Sequence, residues 1–387
     1  MPRFRHHVRV AGTGNETSTG RRRAVIWIAG VVAALLLLGG VAYAITQATR
    51  DRYALPEATL FPTPDPTTPP PSPTPTPSPT VEPGADLRGP LDILLVGVDT
   101  RVSVPDWEPH ADAVMILHVD KELDSGYLFS LPRDLLVDIP AFARSGYRGG
   151  HTKLTHAMSY GSRRGDAKPS AEQGFQLLSQ TVTAYTGIKR FHAGAILNFA
   201  GFERLVNELG GVDMYVDQQV VSIHRQPNGK SRTLRGGDYV GPQATYRPGN
   251  RHFAGWQAID YARQRYTAGG DYTRQRHQQQ LMKAILAKAL SSGLATDPIK
   301  MDKVFRALGS SVIFDGRGHS AIDFAFALRR LRPATLTLVS LPGGGVGSGS
   351  NYRGEQLTSV GRGFITALRT GKADAYLKDH PSLLVRR

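Results

Sequence analysis

The feature that most restricts how this chain can fold is an uncharged apolar run at residues 24–46, AVIWIAGVVAALLLLGGVAYAIT. A helix of about 20 apolar residues spans a bilayer, so the run is long enough to cross one. It is too long for the apolar region of a cleaved signal peptide. We therefore predict a transmembrane helix at residues 24–46, separated from any globular core.

The charges beside this run predict its orientation. Basic residues, including the triplet Arg21 to Arg23, precede the run, whereas Arg50, Asp51 and Arg52 follow it. Because basic residues flanking a span are retained in the cytoplasm, residues 1–23 are predicted to be a basic cytoplasmic tail. The chain is then a single-pass protein of the cell membrane, and everything after residue 46 is extracytoplasmic.

A segment rich in Pro, Thr and Ser follows at residues 47–87. Its densest part is FPTPDPTTPPPSPTPTPSPTVEP, residues 61–83. Such a composition cannot bury a core and favours extended polyproline II. At about 3.1 Å per residue, residues 61–83 alone would hold the next domain up to roughly 70 Å from the bilayer. A ligand for a proline-binding module is the alternative, but the extracytoplasmic position favours a spacer.

Composition limits the chemistry. The chain has 47 Lys and Arg against 32 Asp and Glu, a formal charge of +15, which favours an anionic partner. Much of the excess lies in the N-terminal tail, and no helix-turn-helix or zinc motif occurs, so we expect no nucleic acid. The absence of cysteine excludes disulfides, thiolate metal sites and cysteine nucleophiles.

The remaining chain alternates strand and helix patterns. Apolar runs predict strands at 91–99, 112–120, 126–134, 212–216 and 335–342, and helical spacing predicts helices near 175–185 and 199–209. Residues 191–199 fit a strand or a loop. Strands mixed with helices indicate a layered α/β domain, which we place at residues 88–345 with a C-terminal extension at 346–387. The glycine-rich segment 343–349 has neither the spacing nor the helix of a dinucleotide loop and predicts a mobile surface loop.

The stretch YARQRYTAGGDYTRQRHQQQ, residues 261–280, places four arginines around Asp271. We predict that Asp271 caps a helix running to about Ser291. Counting back along its apolar stripe, Arg274 and Gln278 point inward, whereas Arg276 is solvated and His277 lies at the edge.

An inward arginine must be paired or must hold an anion, because an unpaired buried charge costs several kcal/mol. Arg263 and Arg265 share one face only if their segment is strand-like. An internal salt-bridge network with Asp260, Asp271 or Glu203 explains the arginines as well as an anion site does, and the residues alone leave both readings open.

Several segments, in order, carry a family resemblance: DILLVGVDTR, ADAVMILHVD, LFSLPRDLLVDIP, KLTHAMSYG, FAGFERLVNELGGVDMYVD, and YARQRY followed by GDYTRQRHQQQ. From about Leu91 to Leu290 the chain resembles the LytR–CpsA–Psr family of cell-wall glycopolymer ligases. The resemblance implies an α/β sandwich, a mixed central β-sheet flanked by helices, with an apolar tunnel for a polyprenyl chain. It implies an enzyme that moves a glycan phosphate from a polyprenyl pyrophosphate carrier onto a peptidoglycan hydroxyl.

The resemblance also implies the site. Asp99 and Asp112 would hold Mg²⁺ (or Mn²⁺), since hard carboxylate oxygens suit that ion. The pyrophosphate-binding residues would be Arg133, Arg263, Arg265, Arg274 and Gln278, with Arg101 and Lys153 as further candidates, because arginine forks bind phosphate oxygens in pairs. The catalytic candidates are Arg133, Arg263, Arg265 and Asp271. Asp271 is expected to cap its helix and orient Arg263 or Arg265, and a role as base toward the acceptor hydroxyl stays open.

Two histidines depart from the family pattern, His110 near the second metal carboxylate and His277 just before the glutamine run. A neutral histidine would leave the pyrophosphate-binding cluster less positive, so activity would rise as pH falls. Two other functions remain open: a hydrolase that releases the carrier's sugar phosphate to water, and a non-enzymatic membrane-tethered envelope regulator or binding protein.

Overall fold

The computed structural model describes residues 59–61, 83–99, 107–294, 304 and 307–385. The predicted cytoplasmic tail (1–23), the predicted span (24–46) and Arg101 lie outside these residues. Within the part that is described, no helix has the length and apolar character to cross a bilayer.

The described residues form short strands and helices in alternation. The strands are β1 (Leu91–Asp99), β2 (His110–Val119), β3 (Gly126–Leu131), β4 (Leu136–Ile139), β5 (Gly150–Lys153), β6 (Ala193–Asn198), β7 (Val212–Val216), β8 (Val220–Val221), β9 (Thr233–Arg235), β10 (Asp238–Val240), β11 (Thr245–Tyr246), β12 (Gly249–Phe253), β13 (Val312–Asp315), β14 (Leu336–Val339), β15 (Gly343–Val346) and β16 (Gly354–Leu357). The helices are α1 (Thr155–Ser162), α2 (Ala171–Thr186), α3 (Phe199–Glu208), α4 (Gly255–Arg263), α5 (Gly270–Ser291), α6 (Ala321–Ala327), α7 (Ser359–Arg369) and α8 (Ala373–Asp379).

A six-stranded sheet in the order β13-β6-β1-β2-β3-β14 organises the described chain. The neighbours β1–β2 and β2–β3 are antiparallel, whereas β6 and β14 join parallel to β1 and β3. The mixed central sheet predicted for this chain is therefore confirmed. The segment left open between strand and loop is the strand β6.

Both faces of the sheet are covered, which explains the nearly continuous apolar sequence of β1. On one face Leu94, Val96 and Val98 join a large cluster with side chains from α1, α2 and α7. On the other face Met115 and Leu128 meet Met282 and Leu286 of α5. The sheet is thus the middle layer of a sandwich.

The helix α5 faces two cores at once. Its Leu281 and Ile285 enter a second cluster built on α3, α4 and β7, while Met282 and Leu286 reach the sheet. The apolar stripe predicted for this helix is confirmed. Helix α2 is capped at its C-terminus by Gly187, whose φ of 68° is the left-handed conformation that glycine adopts most readily.

The C-terminal residues are not a separate extension. The predicted boundary after residue 345 falls inside β15, which pairs with β16 as a hairpin. Beyond it, Phe364, Leu368 and Leu377 are buried in the main cluster beneath the sheet. The glycine-rich segment lies largely on the surface, as predicted, but its first four residues form the strand β15 and are not a loop.

The predicted spacer contains one segment that packs on the domain. Leu60 and Phe61 are 0% and 4% exposed, and the Phe61 ring meets Phe175 edge-on at 5.6 Å. The carboxylate of Asp315 accepts hydrogen bonds from both backbone amides, at 2.8 and 3.3 Å. The prediction that residues 47–87 form a spacer was therefore wrong for Leu60 and Phe61, which belong to the core.

Candidate active site

The site begins where the β1–β2 pair becomes irregular. Val98 opposes Ala111 and Gly97 opposes Ala113, so Asp112 has no partner of its own and forms a β-bulge. A bulge turns the extra side chain away from the regular alternation. Asp112 consequently reaches Arg133, which follows β3 and donates from Nη1 to Oδ1 of Asp112.

Arg133 is held from two sides. Its Nε also lies 3.4 Å from Oδ1 of Asp134. Burial opposes the charge of Arg133, but the charges of Asp112 and Asp134 outweigh it and raise the pKa of the guanidinium. Lys153 reaches the far side of Asp134, 3.7 Å from its Oδ2, and does not line the cavity described below.

The N-terminus of α5 contributes a buried arginine. The cap residue is Gly269, with φ of 86°, and the helix begins at Gly270. Asp271 therefore lies in the first turn and is not the cap that the sequence predicts, because the two glycines turn the chain one residue earlier. Its Oδ1 pairs with Nη2 of Arg274 at 2.6 Å, so Asp271 orients Arg274 and not Arg263 or Arg265.

Arg274 is only 6% exposed. Burial lowers the pKa of its guanidinium, an effect that the charge of Asp271 opposes. Its Nε and Oε1 of Gln278, one turn further along, are buried without a hydrogen-bond partner among the described residues. Buried polar atoms normally have partners, so a water molecule or a ligand would satisfy these two.

Arg263 ends α4 and Arg265 lies in the turn beyond it. The Arg263 guanidinium stacks on the Phe199 ring at 4.0 Å, and Nη2 of Arg265 lies 3.3 Å from the Tyr266 hydroxyl. Between them Gln264 is buried and binds backward to Asp260 at 2.8 Å. Because the backbone at Gln264 is extended and its side chain points inward, Arg263 and Arg265 both point outward, on the same side of the turn.

The acids proposed for an internal salt-bridge network are occupied differently. Asp260 accepts from neutral donors, Ser222 at 2.9 Å and Tyr246 at 2.8 Å. Glu203 lies 4.0 Å from Arg225. Asp271 does pair with an arginine of the stretch, Arg274. Of the network expected from these three acids, the described structure thus shows the pair of Asp271 and Arg274.

A cavity of about 880 Å³ gathers the predicted residues. Asp112, Arg133, Arg263, Arg265, Arg274 and Gln278 all line it, together with His110, Trp107 and Phe199. The backbone of Asp99 ends β1 opposite His110, while its side chain lies outside the described structure. Side chains from distant parts of the sequence thus converge on one concave surface.

The opposite wall of the cavity was not predicted. Ile223, His224 and Arg232 line it, together with Gly237, Asp238 and Tyr239 of the β9–β10 hairpin. The sequence signal was Gly236–Gly237, whose φ angles of 56° and 93° make the tight turn of the hairpin. The strands on either side are short and exposed, so no apolar alternation identified them.

A small apolar pocket adjoins the cavity beneath α5. Gly97, Ala113 and Met115 of the sheet line it, opposite Leu281 and Met282, and its volume is about 30 Å³. Phe199, Arg263 and Gln278 belong to both the pocket and the cavity. The arginine-lined cavity and the apolar pocket therefore share one wall.

His277 lies away from the cavity. Its ring is fully buried, stacks on Tyr261 at 4.2 Å and has Nε2 3.1 Å from Oδ1 of Asp217. Burial lowers the pKa of His277 and outweighs the opposing effect of Asp217. Arg276, predicted to be solvated, pairs with the same carboxylate at 2.7 Å. His277 therefore does not contribute to the charge of the cavity, whereas His110 lines it.

Fold and cavity together define an α/β sandwich protein with an arginine-rich cavity beside a mixed sheet. The model of the LytR_cpsA_psr family matches residues 72–360. The chain belongs to this family.

Curated relatives agree with that assignment. The cell wall biosynthesis protein LcpA of Corynebacterium glutamicum is 25% identical over 304 residues, which cover 72% of this chain and 55% of LcpA. The polyisoprenyl-teichoic acid–peptidoglycan teichoic acid transferase TagU of Enterococcus faecalis is 27% identical over 245 residues, or 63% of this chain and 68% of TagU. The chain thus spans little more than half of LcpA.

Solved structures share the fold. The crystal structure of Bacillus subtilis TagV aligns with a TM-score of 0.54 at 19% identity, covering 74% of this chain and 98% of TagV. The structure of protein gbs0355 from Streptococcus agalactiae aligns with a TM-score of 0.56 at 21% identity, covering 73% of this chain and 88% of that protein.

Proposed function

We propose that this chain transfers a glycan phosphate from a polyprenyl pyrophosphate carrier to a hydroxyl of peptidoglycan. The observation that carries the proposal is the convergence of Arg133, Arg263, Arg265 and Arg274 on one cavity that adjoins an apolar pocket. A ligand with a diphosphate beside a hydrocarbon chain matches both surfaces. Relatives named as transferases of polyisoprenyl-linked teichoic acid to peptidoglycan support the same substrate class.

The arginines suit a diphosphate in particular. A guanidinium donates two parallel hydrogen bonds to phosphate oxygens, which an ammonium does not. The unpartnered Nε of Arg274 is one such donor already in place. Because Asp271 fixes the other end of this guanidinium, the donor keeps its direction without a ligand and gives up little freedom on binding.

A divalent cation fits the donor set. Asp112 offers carboxylate oxygens at the cavity wall, and Asp99 ends the neighbouring strand. Mg²⁺ typically binds one or two carboxylates together with phosphate oxygens and water. We propose that Asp99 and Asp112 hold Mg²⁺ (or Mn²⁺), which would supply charge neutralisation to the diphosphate. Among the described residues no cluster of three or more such ligands occurs, so substrate oxygens would complete the coordination.

The apolar pocket would receive the first part of the polyprenyl chain. At about 30 Å³ it is too small for an isoprenoid chain, so Met115 and Met282 must move when the chain enters. Methionine side chains have three rotatable bonds and repack readily. Gly97 and Ala113 are neighbours in the sheet wall of the pocket. A Cβ on Gly97 would lie only 3.1 Å from Cβ of Ala113, so larger residues at these positions would crowd the pocket.

In the proposed reaction an acceptor oxygen forms a bond to the phosphorus of the glycan phosphate. The bond from that phosphorus to the bridging oxygen breaks, and polyprenyl phosphate leaves with the electron pair. Phosphoryl transfer of this kind depends on stabilising charge on the transferred and leaving oxygens, which a preorganised arginine cluster does. The hydroxyl proton passes to a base, a role that the sequence leaves open for Asp271, whose carboxylate pairs with Arg274.

The proposal is tested with a labelled polyprenyl-pyrophosphoryl sugar, Mg²⁺ and peptidoglycan strands. Label entering the insoluble wall supports transfer, whereas label released only as sugar phosphate means hydrolysis and overturns it. Arg263→Ala and Arg265→Ala should each lower transfer at least a hundredfold while the protein stays folded. Arg148→Ala, an exposed arginine far from these residues in sequence, is the matched control and should retain activity. Unfolding of both cavity variants would instead support an internal salt-bridge network as the role of these arginines.

A further inference from the structure

Exposed apolar side chains are concentrated around the cavity mouth. Of the seven large hydrophobic residues that are exposed in the described structure, Trp107, Tyr239 and Tyr266 line the cavity itself. Leu234 and Val240 lie beside them on the β9–β10 hairpin, 59% and 38% exposed. Exposed apolar groups scattered singly are normal, but a group gathered at one site indicates an interaction surface.

The same surface is basic. Lys230, Arg232 and Arg235 lie in the β9–β10 hairpin or just before it, where Asp238 is the one acid. Arg232 donates to three backbone carbonyls, of Ile223, Tyr239 and Gly241, and to no carboxylate that the described structure shows. Its charge is thus uncompensated, and its bonds fix the hairpin to the wall of the cavity.

We propose that the β9–β10 hairpin and the aromatic rim of the cavity dock onto the surface of an anionic lipid bilayer. Tyrosine and tryptophan side chains prefer the interface between headgroups and hydrocarbon. Basic residues near that interface are attracted to anionic lipid. Leu234 and Val240 decide between a membrane and a glycan as the partner, because aliphatic side chains insert into lipid but provide no ring for a sugar to stack on.

Docking in this way has a consequence for the reaction. The inference rests on the proposed function, in which the carrier's hydrocarbon chain lies in a bilayer. Its diphosphate then lies at the headgroup level. A cavity whose rim touches that level receives the diphosphate without exposing the hydrocarbon chain to water. The hairpin would therefore place the arginine site at the depth of the carrier's diphosphate.

The lack of cysteine makes a direct test possible. The full chain is reconstituted into vesicles of phosphatidylglycerol and phosphatidylethanolamine, carrying Leu234→Cys labelled with an environment-sensitive fluorophore. Tyr215→Cys, at a position 43% exposed on β7, is the matched control. We expect the label at 234 to shift to the blue and to be at least fivefold less accessible to acrylamide than the label at 215. In vesicles of phosphatidylcholine alone this protection should weaken.

Equal quenching at 234 and 215 would overturn the inference. Protection that appears only after peptidoglycan strands are added would assign the surface to a glycan, and protection that grows with protein density would assign it to a second copy; either result also overturns it. None of these readouts needs turnover, so they are independent of the proposed reaction. As a second measurement, Leu234→Ser with Val240→Ser should slow transfer from a long-chain carrier in vesicles about tenfold, yet leave transfer from a short-chain carrier in detergent unchanged.

Discussion

Arg133 donates a hydrogen bond to Asp112, the bulged residue of β2, so a phosphate-binding candidate and a metal-binding candidate neutralise each other in the structure. A bound diphosphate with its cation would separate them, since Arg133 would bind phosphate oxygens and Asp112 the cation. Asp134 touches the same guanidinium from the other side and does not line the cavity. Substituting Asp112 and Asp134 separately can therefore distinguish cation binding from the orientation of Arg133.

We predict that Asp112→Asn raises the Mg²⁺ concentration for half-maximal activity at least tenfold. The reason is that an amide oxygen is a much weaker ligand for a hard cation than a carboxylate. Asp134→Asn, which also removes one partner of Arg133, should leave the Mg²⁺ dependence unchanged. Titration of activity with Mg²⁺ measures both variants, and an equal shift in the two would mean that Asp112 acts only by orienting Arg133.

Inorganic pyrophosphate should stabilise the folded chain. A ligand present at a hundred times its Kd adds about 2.7 kcal/mol to the free energy of unfolding. Thermal unfolding with increasing pyrophosphate measures the gain as a rise in Tm. The rise should disappear in Arg265→Ala and persist in Arg148→Ala. An equal rise in both variants would mean that the anion binds elsewhere on this basic protein.

Arg274 provides the sharpest choice between an internal salt bridge and a ligand site. We predict that Arg274→Met changes the free energy of unfolding by no more than about 1 kcal/mol, because the Asp271 carboxylate left behind is partly exposed and keeps its hydrogen bond from Gln275. Pyrophosphate should then no longer raise Tm. Chemical denaturation measures the first effect. A loss of about 3 kcal/mol or more would show that the pair with Asp271 is structural.

The sequence predicted contacts within one helix far better than contacts between elements. Helical periodicity placed Arg274 and Gln278 inward correctly, because one turn of α5 fixes their direction. The same count put His277 at an edge, whereas Asp217 in the turn after β7 and the ring of Tyr261 bury it. Partners so distant in sequence leave no local pattern.

Two further features were hidden for different reasons. The bulge at Asp112 depends on the register between β1 and β2, which the alternation of apolar residues does not specify. The β9–β10 hairpin has no buried face at all, so it lacks the apolar alternation by which strands are recognised. Both features shape the cavity, which explains why the family resemblance predicted its arginines but not its second wall.

Phe61 should contribute to the stability of the domain although it lies in a segment of spacer composition. Phe61→Ala removes a ring that packs on Phe175 and under the guanidinium of Arg317 at 4.0 Å. We expect a loss of about 3 kcal/mol in the free energy of unfolding, as for other buried phenylalanines. Leu234→Ala, at an exposed site, should change it by less than about 0.5 kcal/mol. Equal effects of the two substitutions would show that the contact of Phe61 is incidental.

The pair of His277 and Asp217 predicts how stability responds to acid. Burial lowers the pKa of His277, so the unfolded chain takes up this proton first and stability falls as pH drops below about 6.5, the ordinary histidine value. For Asp217, burial is outweighed by the hydrogen bond from His277 and the charge of Arg276, which lower its pKa to about 2. Its contribution is therefore complete above about pH 4 and is lost between about pH 4 and pH 2.

Substituting each partner separates the two windows. His277→Gln should be less stable at neutral pH but should lack the decline that begins near pH 6.5, whereas Asp217→Asn should lack the decline below about pH 4. Denaturation midpoints measured between pH 7 and pH 3 check both expectations. Because His277 lies outside the cavity, His277→Arg should leave the shape of the pH–activity profile unchanged; a profile altered in this variant would mean that the residue acts on the reaction after all.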